Sequence, residues 1–461
     1  MLRAAVIGKD GRTSAIVDAL NKSKRVIQPV SRASFWKFSP FHSTRLEELC
    51  LNLERLRKNR EMPDYVVFGP EEPLAEGVVD WLWQNYKIPS IGPSQALAKI
   101  ESSKSFARLL LAKHGIPGNP RFRKFSNSAG IEAYLKELGK FVVKPDGLTG
   151  GKGVKVFGEH LSSIGEASDY CHEVFEEGHP SVILEEKLDG EEFSLMSFCD
   201  GTHVVDMPVV QDHKRAYDGD SGPNTGGMGS YTCENHSLPF LTDNDLQQAS
   251  MINRRVAEAL LEETGQPYKG VLYGGFMATR DGVRLIEYNA RFGDPEALNV
   301  LSLLRTDFGE VCESIIKGKL NEIDVQFEHR ATVCKYVVPE GYPDHPVKDV
   351  VIDLSHVPDN SPHLRRFDAA IDKDETGSYR LSGSRAIAFV GIGQTVEEAE
   401  AIAESAASSV GGPVFHREDI GTRRLIEKRI SHMHALRSKE SNIDSVENDN
   451  QHDAYHQVEL R

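Results

Sequence analysis

The segment FVVKPDGLTGGKGVKVF, residues 141–157, decides the fold of this chain. A buried strand ends near Lys144, and a glycine-rich turn leads into a second strand. Glycines allow backbone N–H groups to approach phosphate oxygens closely, and Lys144 and Lys152 supply positive charge. Because no helix follows, the segment matches neither a Walker loop nor a dinucleotide fingerprint. It predicts a hairpin that closes on phosphates; taken alone, a flexible turn without function is the alternative.

A second segment, VILEEKLDGEEFS at residues 182–194, follows about forty residues later. Its pattern predicts two strands joined by a turn at Gly190. Backbone groups from Glu185 to Leu188 are suited to the edge of an adenine, and the Glu192 carboxylate is suited to two ribose hydroxyls. Taken alone, these glutamates also match the solvated edge of a sheet.

The third segment, VRLIEYNARFGDPEA at residues 283–297, offers oxygen ligands. Strand alternation puts Glu287 and Asn289 on one face. Magnesium prefers oxygen ligands and usually shares them with nucleotide phosphates, so this pair predicts a metal site. An edge strand with salt bridges is the alternative.

The fourth segment, QDHKRAYDGDSGPNTGGMGSYT at residues 211–232, is too rich in glycine for regular structure and too patterned for a linker. His213, Lys214 and Arg215 supply positive donors. Asn224, Thr225 and the following glycines supply small polar groups and backbone N–H groups, which suit a small carboxylate or a phosphate. A disordered loop is the alternative.

Composition limits the class of protein. The 461 residues are 39% hydrophobic and carry a net charge of −15, which predicts a folded chain of about three domains without a nucleic-acid partner. Six scattered cysteines indicate neither a zinc ribbon nor a disulfide framework. No apolar run reaches the roughly 18 residues that cross a bilayer. We therefore expect a cytoplasmic protein that does not enter membranes.

The strand and helix patterns predict four regions along the chain. One continuous helix is expected from a Ser94 cap to Gly115. The polar composition after residue 435 predicts a flexible tail, because few side chains there can be buried. The predicted regions are an N-terminal α/β domain at 1–103, a central domain at 104–330 with a lid subdomain at about 120–190, a C-terminal α/β domain at 331–434, and the tail at 435–461.

With these segments in place, the chain resembles the phosphoribosylamine–glycine ligases, the glycinamide ribonucleotide synthetase family of the ATP-grasp superfamily. The loop HKR followed by DGDSGPNTGGMG is specific to the family, whereas the glycine hairpin and the Glu287–Asn289 pair identify only the superfamily. The resemblance covers roughly residues 1–430 and implies an ATP-grasp architecture. Its other motifs are GPEEPLAEG (69–77), GPSQALAKIESSKSFA (92–107), LDGEEFS (188–194), EGYP (340–343) and FHREDIGTR (415–423).

The resemblance implies a nucleotide site with Mg²⁺ or Mn²⁺. Glu287 and Asn289 correspond to the metal ligands, Glu192 to the ribose ligand, and the segment from Gly147 to Gly153 to the flap over the phosphates. The ATP-binding set that it implies is Lys104, Lys144, Gly150, Gly151, Lys152, Gly153, Glu185, Glu186, Leu188 and Glu192.

The resemblance also implies the remaining site residues. The implied catalytic residues are Lys214, Arg215, Arg291 and Asp294. The implied substrate-binding residues are Gly8, Gly11, His213, Asn224, Thr225, Gly226, Gly227 and Met228.

The resemblance implies a ligase of de novo purine biosynthesis that forms a carbon–nitrogen bond. The implied reaction uses ATP, glycine and 5-phosphoribosylamine, all small molecules, in a monomer or homodimer. Glycine and ATP give glycyl phosphate and ADP, and the amine then attacks the acyl carbon. Such chemistry needs positioning, a metal and positive donors rather than an activated protein nucleophile.

The first domain departs from the family pattern. The family usually has GxGGREHA where this chain has GKDGRTSA, with Asp10, Thr13 and Ser14, and it has a PGN turn where this chain has Gln28, Pro29 and Val30. An aspartate near a substrate phosphate is unfavourable by charge. Two alternatives therefore stay open: a carboxylate–amine ligase with a different amine acceptor, and a non-catalytic nucleotide-binding paralogue. The intact metal and phosphate residues argue against the second.

Overall fold

Alternating strands and helices in the first hundred residues build a parallel sheet. In this computed structural model the described residues are 1–30, 42–148, 153–375 and 377–438. The elements of this region are β1 (Leu2–Ile7), α1 (Gly11–Asn21), β2 (Val26–Val30), α2 (His42–Asn59), β3 (Tyr65–Phe68), α3 (Glu72–Ala75), α4 (Val78–Tyr86), β4 (Ser90–Ile91), α5 (Gln95–Ser102) and α6 (Lys104–Lys113). The strand order is β2-β1-β3-β4, and all neighbours are parallel. Gln28, Pro29 and Val30 thus belong to a strand rather than to a loop.

The prediction of one helix from Ser94 to Gly115 is wrong, because the chain breaks at Ser103 between α5 and α6. Ser103 is extended, with φ −137° and ψ 107°, and its side chain accepts a hydrogen bond from the backbone N–H of Phe106, capping α6. Its hydroxyl also donates to Asp146 at 3.2 Å. A new helix therefore begins at Lys104, after the break. The hydrogen bond from Ser103 to Asp146 connects the start of this helix to the end of the strand that contains Lys144.

A small antiparallel sheet with its own core follows. Its elements are β5 (Phe122–Phe125), α7 (Ile131–Leu138), β6 (Phe141–Pro145), β7 (Lys155–Val156), α8 (Ile164–Glu176) and β8 (Val182–Glu186), with strand order β5-β8-β6-β7. Apolar side chains of α7, α8, β6 and β8 pack into a cluster that is separate from the main core. This cluster includes Leu135, Phe141 and Leu184. The predicted glycine hairpin joins β6 to β7, and its residues 149–152, including Gly150, Gly151 and Lys152, lie outside the described residues.

The central sheet is antiparallel, with the order β10-β9-β15-β16. The elements of this region are β9 (Gly190–Asp200), β10 (Val204–Asp206), β11 (Gln211–Asp212), β12 (Arg215–Tyr217), β13 (Ser221–Asn224), β14 (Gly229–Thr232), α9 (Asp243–Thr264), β15 (Lys269–Thr279), β16 (Gly282–Asn289), α10 (Glu296–Leu303), α11 (Phe308–Lys317) and a 3₁₀ turn at Leu320–Glu322. Residues 211–232, expected to lack regular structure, contain four short strands, because β12 pairs with β13 and β11 with β14. That expectation is wrong.

The C-terminal sheet incorporates strands of this loop. Its elements are β17 (Ala331–Pro339), β18 (Val351–Ile352), β19 (Leu364–Asp368), β20 (Ile371–Lys373), β21 (Tyr379–Leu381), β22 (Ile387–Gly393), α12 (Val396–Ala407), β23 (Val414–Phe415) and α13 (Arg423–Ser438). The order β11-β14-β17-β22-β19 makes one sheet from the loop and the C-terminal region. The fold thereby fixes residues 211–232 against a rigid support.

The last described helix, α13, returns to the central region and packs against β9 and β15. Its His432 contacts Glu191 at 2.7 Å, and its Arg437 forms a 2.7 Å ion pair with the buried Asp245. The helix extends through Ser438, into the segment where the flexible tail is predicted, and residues 439–461 lie outside the described part. In the described ranges, no helix combines the length and the apolar character needed to cross a membrane.

Candidate active site

Four cations act on one carboxylate at the end of β16. Burial opposes the charge of Glu287, but Lys214, Lys144, Lys104 and Arg291 together lower its pKa. Neither the Glu287 carboxylate nor the Asn289 amide has a hydrogen-bond or ion-pair partner among the described residues. Both side chains are thus without a protein partner among the described residues, and four positive groups act on the Glu287 carboxylate.

A buried ion-pair network fixes Lys144 near this strand. Lys144 Nζ lies 2.8 Å from Glu185 Oε2 and donates to the carbonyl of Ile286 at 3.0 Å. Arg108 donates to both oxygens of Glu185, at 2.6 and 2.9 Å, and its Nη2 also donates to Ile286 O at 2.7 Å. Burial raises the pKa of Glu185, but Arg108 and Lys144 outweigh it and lower the value to about 2. Lys144 and Arg108 thus link the Glu185 side chain of β8 to the backbone of β16.

Lys104 holds the start of the glycine-rich hairpin. Its Nζ donates to Gly147 O at 2.7 Å, at the point where β6 ends. Burial and the neighbouring Lys144 lower the pKa of Lys104, whereas Glu287 opposes that shift. At the far side of the gap in the described chain, the carbonyl of Gly153 accepts a hydrogen bond from Tyr170. Both ends of the hairpin are thus anchored.

Lys214 lies in a cluster of carboxylates. Its Nζ is 3.1 Å from Glu192 Oε2, and Glu192 and Asp212 raise the pKa of Lys214. Burial, together with Glu296, Glu192 and Glu287, raises the pKa of Asp212 to about 7 against the opposing effect of Lys214. Within the described residues, no group of three or more His, Cys, Asp or Glu side chains is placed to hold a metal ion by itself. A cation at Glu287 and Asn289 needs further oxygens from a bound molecule.

Most polar groups of the predicted adenine hinge at Glu185–Leu188 already have partners within the protein. Both of its carboxylates are engaged by arginines, because Arg108 binds Glu185 and Arg121 lies 3.1 Å from Glu186. The backbone N–H of Glu186 donates to Arg121 O and that of Lys187 donates to Lys140 O. What the segment still offers a base is the region of Leu188, which is half-buried.

His213 does not supply the positive donor that the sequence suggests. The ring is 2% exposed, and neither nitrogen has a hydrogen-bond partner among the described residues. Burial, reinforced by Arg417 and Arg429, lowers the pKa of His213 to about 3, so the ring is neutral near pH 7. The expectation of a cationic His213 is wrong because the ring is buried, and Arg417 and Arg429 add to the effect of burial.

The small residues after Lys214 hold the loop. Thr225 donates from both its backbone N–H and its hydroxyl to Lys214 O, at 2.7 and 2.9 Å. Arg385 donates to the carbonyls of Gly226 and Gly227 at 2.7 and 3.0 Å. Gly227 has φ +110°, where a side chain would also meet the ring of Pro295. The other two predicted substrate residues differ in exposure: Asn224 is exposed in β13, and Met228 is fully buried.

The predicted catalytic residues after β16 are enclosed by ion pairs. Arg291 lies between two glutamates, 3.1 Å from Glu71 and 2.8 Å from Glu101. Asp294 accepts a hydrogen bond from the Tyr336 hydroxyl at 2.6 Å and from the backbone N–H of Arg12 at 3.4 Å. Arg215, by contrast, reaches the lid, where its Nη2 lies 2.7 Å from Glu159.

The altered N-terminal loop caps a helix. Asp10 is the N-cap of α1: its Oδ1 accepts from the backbone N–H of Thr13 at 2.9 Å, and its Oδ2 pairs with Arg12 at 2.7 Å. Gly8 and Gly11 flank it, and a Cβ at Gly11 would collide with the Tyr336 hydroxyl. The negative charge predicted here is present, and Arg12 balances it.

Comparisons with known proteins point to the same family along most of the chain. Three family models match: the N domain of phosphoribosylglycinamide synthetase over residues 2–101, its ATP-grasp (A) domain over 102–297, and its C domain over 332–423. The chain belongs to the phosphoribosylglycinamide synthetase family. Phosphoribosylamine–glycine ligases of Methanocella arvoryzae and Methanocaldococcus jannaschii are 44% and 45% identical to it over 447 and 450 residues, which is 95% of this chain and 100% of each relative.

Solved structures share the architecture. The phosphoribosylamine–glycine ligase of Thermotoga maritima has a TM-score of 0.72 at 25% identity and covers 91% of this chain and 100% of its own. The biotin carboxylase domain of the Hydrogenobacter thermophilus 2-oxoglutarate carboxylase, solved with MgADP, ADP and bicarbonate, has a TM-score of 0.66 at 12% identity, covers 94% of each chain, and shares the fold.

These findings confirm the predicted phosphoribosylglycinamide synthetase family, the three-part ATP-grasp architecture and the prediction of a carbon–nitrogen ligase of purine biosynthesis. Neither alternative, a different amine acceptor or a non-catalytic paralogue, is favoured. The roles of individual residues stay predictions.

Sequence reasoning missed the charged partners that hold the predicted residues. Glu71 and Glu101 lie in two of the family-like motifs but were assigned no role. Arg108 follows Lys104 at the four-residue spacing of one helix face, a signal that could have linked the two. Nothing in the sequence around Arg385 indicated its contacts with Gly226 and Gly227, because these residues are far apart in the chain.

Proposed function

We propose that this chain joins glycine to 5-phosphoribosylamine in de novo purine biosynthesis, converting ATP to ADP and phosphate and giving glycinamide ribonucleotide. The main support is the match to the phosphoribosylglycinamide synthetase family along the chain, and within it Lys104, Lys144 and Lys214 lie close enough to Glu287 to lower the pKa of its carboxyl. Phosphoryl transfer needs this combination of positive donors and oxygen ligands, because charge develops on the transferred group.

ATP in this proposal lies between the lid hairpin and the central sheet. Lys104 and Lys144 face its phosphates, Glu192 meets the ribose, and the region of Leu188 meets the adenine. Glu287 and Asn289 would hold Mg²⁺ or Mn²⁺, which would supply neutralisation of phosphate charge and polarisation of the γ-phosphoryl group. The donor set fits such an ion, since two protein oxygens plus phosphate oxygens are typical of magnesium sites on nucleotides.

The reaction has two steps. A carboxylate oxygen of glycine attacks the γ-phosphorus and ADP leaves, so glycyl phosphate forms. The nitrogen of phosphoribosylamine then attacks the acyl carbon, phosphate leaves with that oxygen, and the nitrogen loses a proton. Lys214 and Arg215 orient the reacting groups and offset developing negative charge, so no protein nucleophile is required.

Glycine and the amine bind next to this centre. Asn224, Thr225, Gly226 and Gly227 offer small polar groups for glycine, while Gly8 and Gly11 adjoin the acceptor. Arg291 and Asp294 lie where the two regions meet, as their contacts with Glu71, Arg12 and Tyr336 support. A cytoplasmic location and a monomer or homodimer complete the proposal.

The test is release of ADP from the purified chain with ATP, Mg²⁺ and glycine, with and without phosphoribosylamine. We expect turnover to require both glycine and phosphoribosylamine. Other primary amines, offered in place of phosphoribosylamine, should give little product. Turnover with another amine alone would support a different acceptor, and ATP binding without any turnover would support a non-catalytic paralogue; either result would contradict the proposal.

A further inference from the structure

A buried arginine from the C-terminal region enters the loop that bears Lys214. The side chain of Arg417, in the segment FHREDIGTR, is fully buried. Its Nη1 donates to the backbone carbonyl of Arg215 at 3.1 Å, its Nη2 lies 3.1 Å from Asp220, and its Nε lies 2.8 Å from Asp419. One guanidinium thus binds both the base and the tip of the β12–β13 hairpin.

The tip of this hairpin is held by several C-terminal groups. Asp220 pairs with Arg417, with Arg429 at 2.5 Å and with Lys428 at 3.4 Å. It does so with φ +60°, a left-handed conformation that an aspartate tolerates better than most residues. Two hydrogen bonds from backbone N–H groups also connect the tip to the C-terminal segment. Gly219 N donates to Asp419, and Glu418 N donates to Asp218.

The base of the hairpin leads directly into the site. Lys214 precedes β12, its carbonyl accepts both hydrogen bonds from Thr225, and its ammonium reaches Glu192. Arg215, the residue whose carbonyl Arg417 binds, extends to Glu159 in the lid. A shift of the Arg215 peptide group therefore moves Lys214 and the lid contact together.

We infer that Arg417 is a positioning residue for Lys214 and Arg215, acting through the Arg215 carbonyl and Asp220; this inference rests on the proposed function of Lys214 and Arg215. A bidentate guanidinium fixes orientation as well as distance, which a lysine cannot reproduce. A displacement of about 1 Å in a positioning group is sufficient to slow catalysis by about 100-fold. The C-terminal region thus sets the geometry of a reaction centre in the ATP-grasp domain.

The variants are Arg417→Met, Arg417→Lys and Asp220→Asn, with Arg366→Met as the matched control. Arg366 also pairs with an aspartate, Asp368, in the C-terminal region, and has no contact with the hairpin among the described residues. Asp220→Asn suits the left-handed conformation, so it removes the charge without straining the backbone. It keeps the test valid should Arg417→Met fail to fold.

Two measurements separate positioning from mere stability. Hydrogen–deuterium exchange of peptides covering 211–228 should accelerate by about 10-fold or more in Arg417→Met, whereas peptides from β17 and β22 should be unchanged. The kcat should fall by about 10- to 100-fold and the KM for glycine should rise. The KM for ATP should rise less than that for glycine, because Lys104 and Lys144 are held elsewhere and only the contact of Lys214 with Glu192 is shared. Arg417→Lys should recover part of the lost kcat. Arg366→Met should change neither the exchange rates nor the kinetic constants.

Unchanged exchange in 211–228, or accelerated exchange with unaltered kcat and KM, would overturn the inference. Equal effects of Arg417→Met and Arg366→Met would also overturn it. If the unsubstituted chain shows no glycine-dependent ADP formation, the proposed function fails instead. The exchange measurement still decides whether Arg417 holds the hairpin.

Discussion

Lys144 Nζ lies 2.8 Å from Glu185 Oε2 in a network that is closed to solvent on nearly all sides, with Arg108 binding both oxygens of the same carboxylate. Arg108 alone can therefore balance the charge of Glu185 and donate a hydrogen bond to each of its oxygens. Removal of Lys144 therefore leaves no unpaired buried carboxylate, and its effect on ATP can be measured in a folded protein.

Lys144→Ala should raise the KM for ATP and lower kcat, each by about 10-fold, because its charge faces phosphates in both the ground state and the transition state. Lys136→Ala is the control, since Lys136 lies in the same lid and its pairing with Glu132 is exposed. Steady-state ADP release measures both constants. An unchanged KM and kcat for Lys144→Ala would remove Lys144 from the phosphate site.

Glu287→Gln should lower kcat by at least about 100-fold, because it removes one charge from a metal ligand pair. The fold should persist, since no hydrogen bond or ion pair of Glu287 with another described residue is lost. Asp281→Asn, in the turn that precedes the same strand, should retain full activity. Near-normal turnover of Glu287→Gln with an unchanged melting temperature would refute the metal role.

Stability should depend on pH through Glu404, which binds the fully buried Lys335. Burial raises the pKa of Glu404, but hydrogen bonds from Lys335, His416 and Ser408 outweigh it and lower the pKa to about 2. An unfolded glutamate titrates at about 4.3, so the unfolded state binds more protons between these values and stability falls as pH falls. Melting curves of the wild-type chain and Glu404→Gln should differ most above about pH 5 and converge toward pH 2. A constant difference across that range would contradict the assigned pKa.

Asp10→Asn separates charge from capping in the altered first loop. The amide oxygen can still accept from Thr13 N–H, whereas the charge that balances Arg12 is lost. We expect the KM for phosphoribosylamine to fall several-fold, because the positive charge of Arg12 is then no longer balanced and attracts the phosphate, with ATP and glycine unaffected. Asp10→Ala also removes the cap, at a cost of about 1 kcal/mol in stability. Identical acceptor kinetics for Asp10→Asn and the wild-type chain would show that this loop does not face the phosphate.

Local patterns were sufficient for much of the fold and of the site. The alternation around Glu287 and Asn289 correctly placed both residues in one strand, and the glycine hairpin after Lys144 was anticipated. The break at Ser103 was missed because it depends on Asp146, which lies 43 residues away. The neutral state of His213 was missed for a similar reason, since Arg417 and Arg429 come from the far end of the chain. Such neighbours from distant parts of the chain have no local signature in the sequence, and they determine the environment of these side chains.

Transfer of oxygen tests the proposed chemistry most directly. With glycine labelled with ¹⁸O in both carboxylate oxygens, ATP, Mg²⁺ and phosphoribosylamine, each phosphate released should contain one labelled oxygen, because phosphate leaves with the oxygen that attacked the γ-phosphorus. The amide product should retain the other. Product formation with unlabelled phosphate would contradict a glycyl phosphate intermediate and with it the proposed use of Lys214, Glu287 and Asn289.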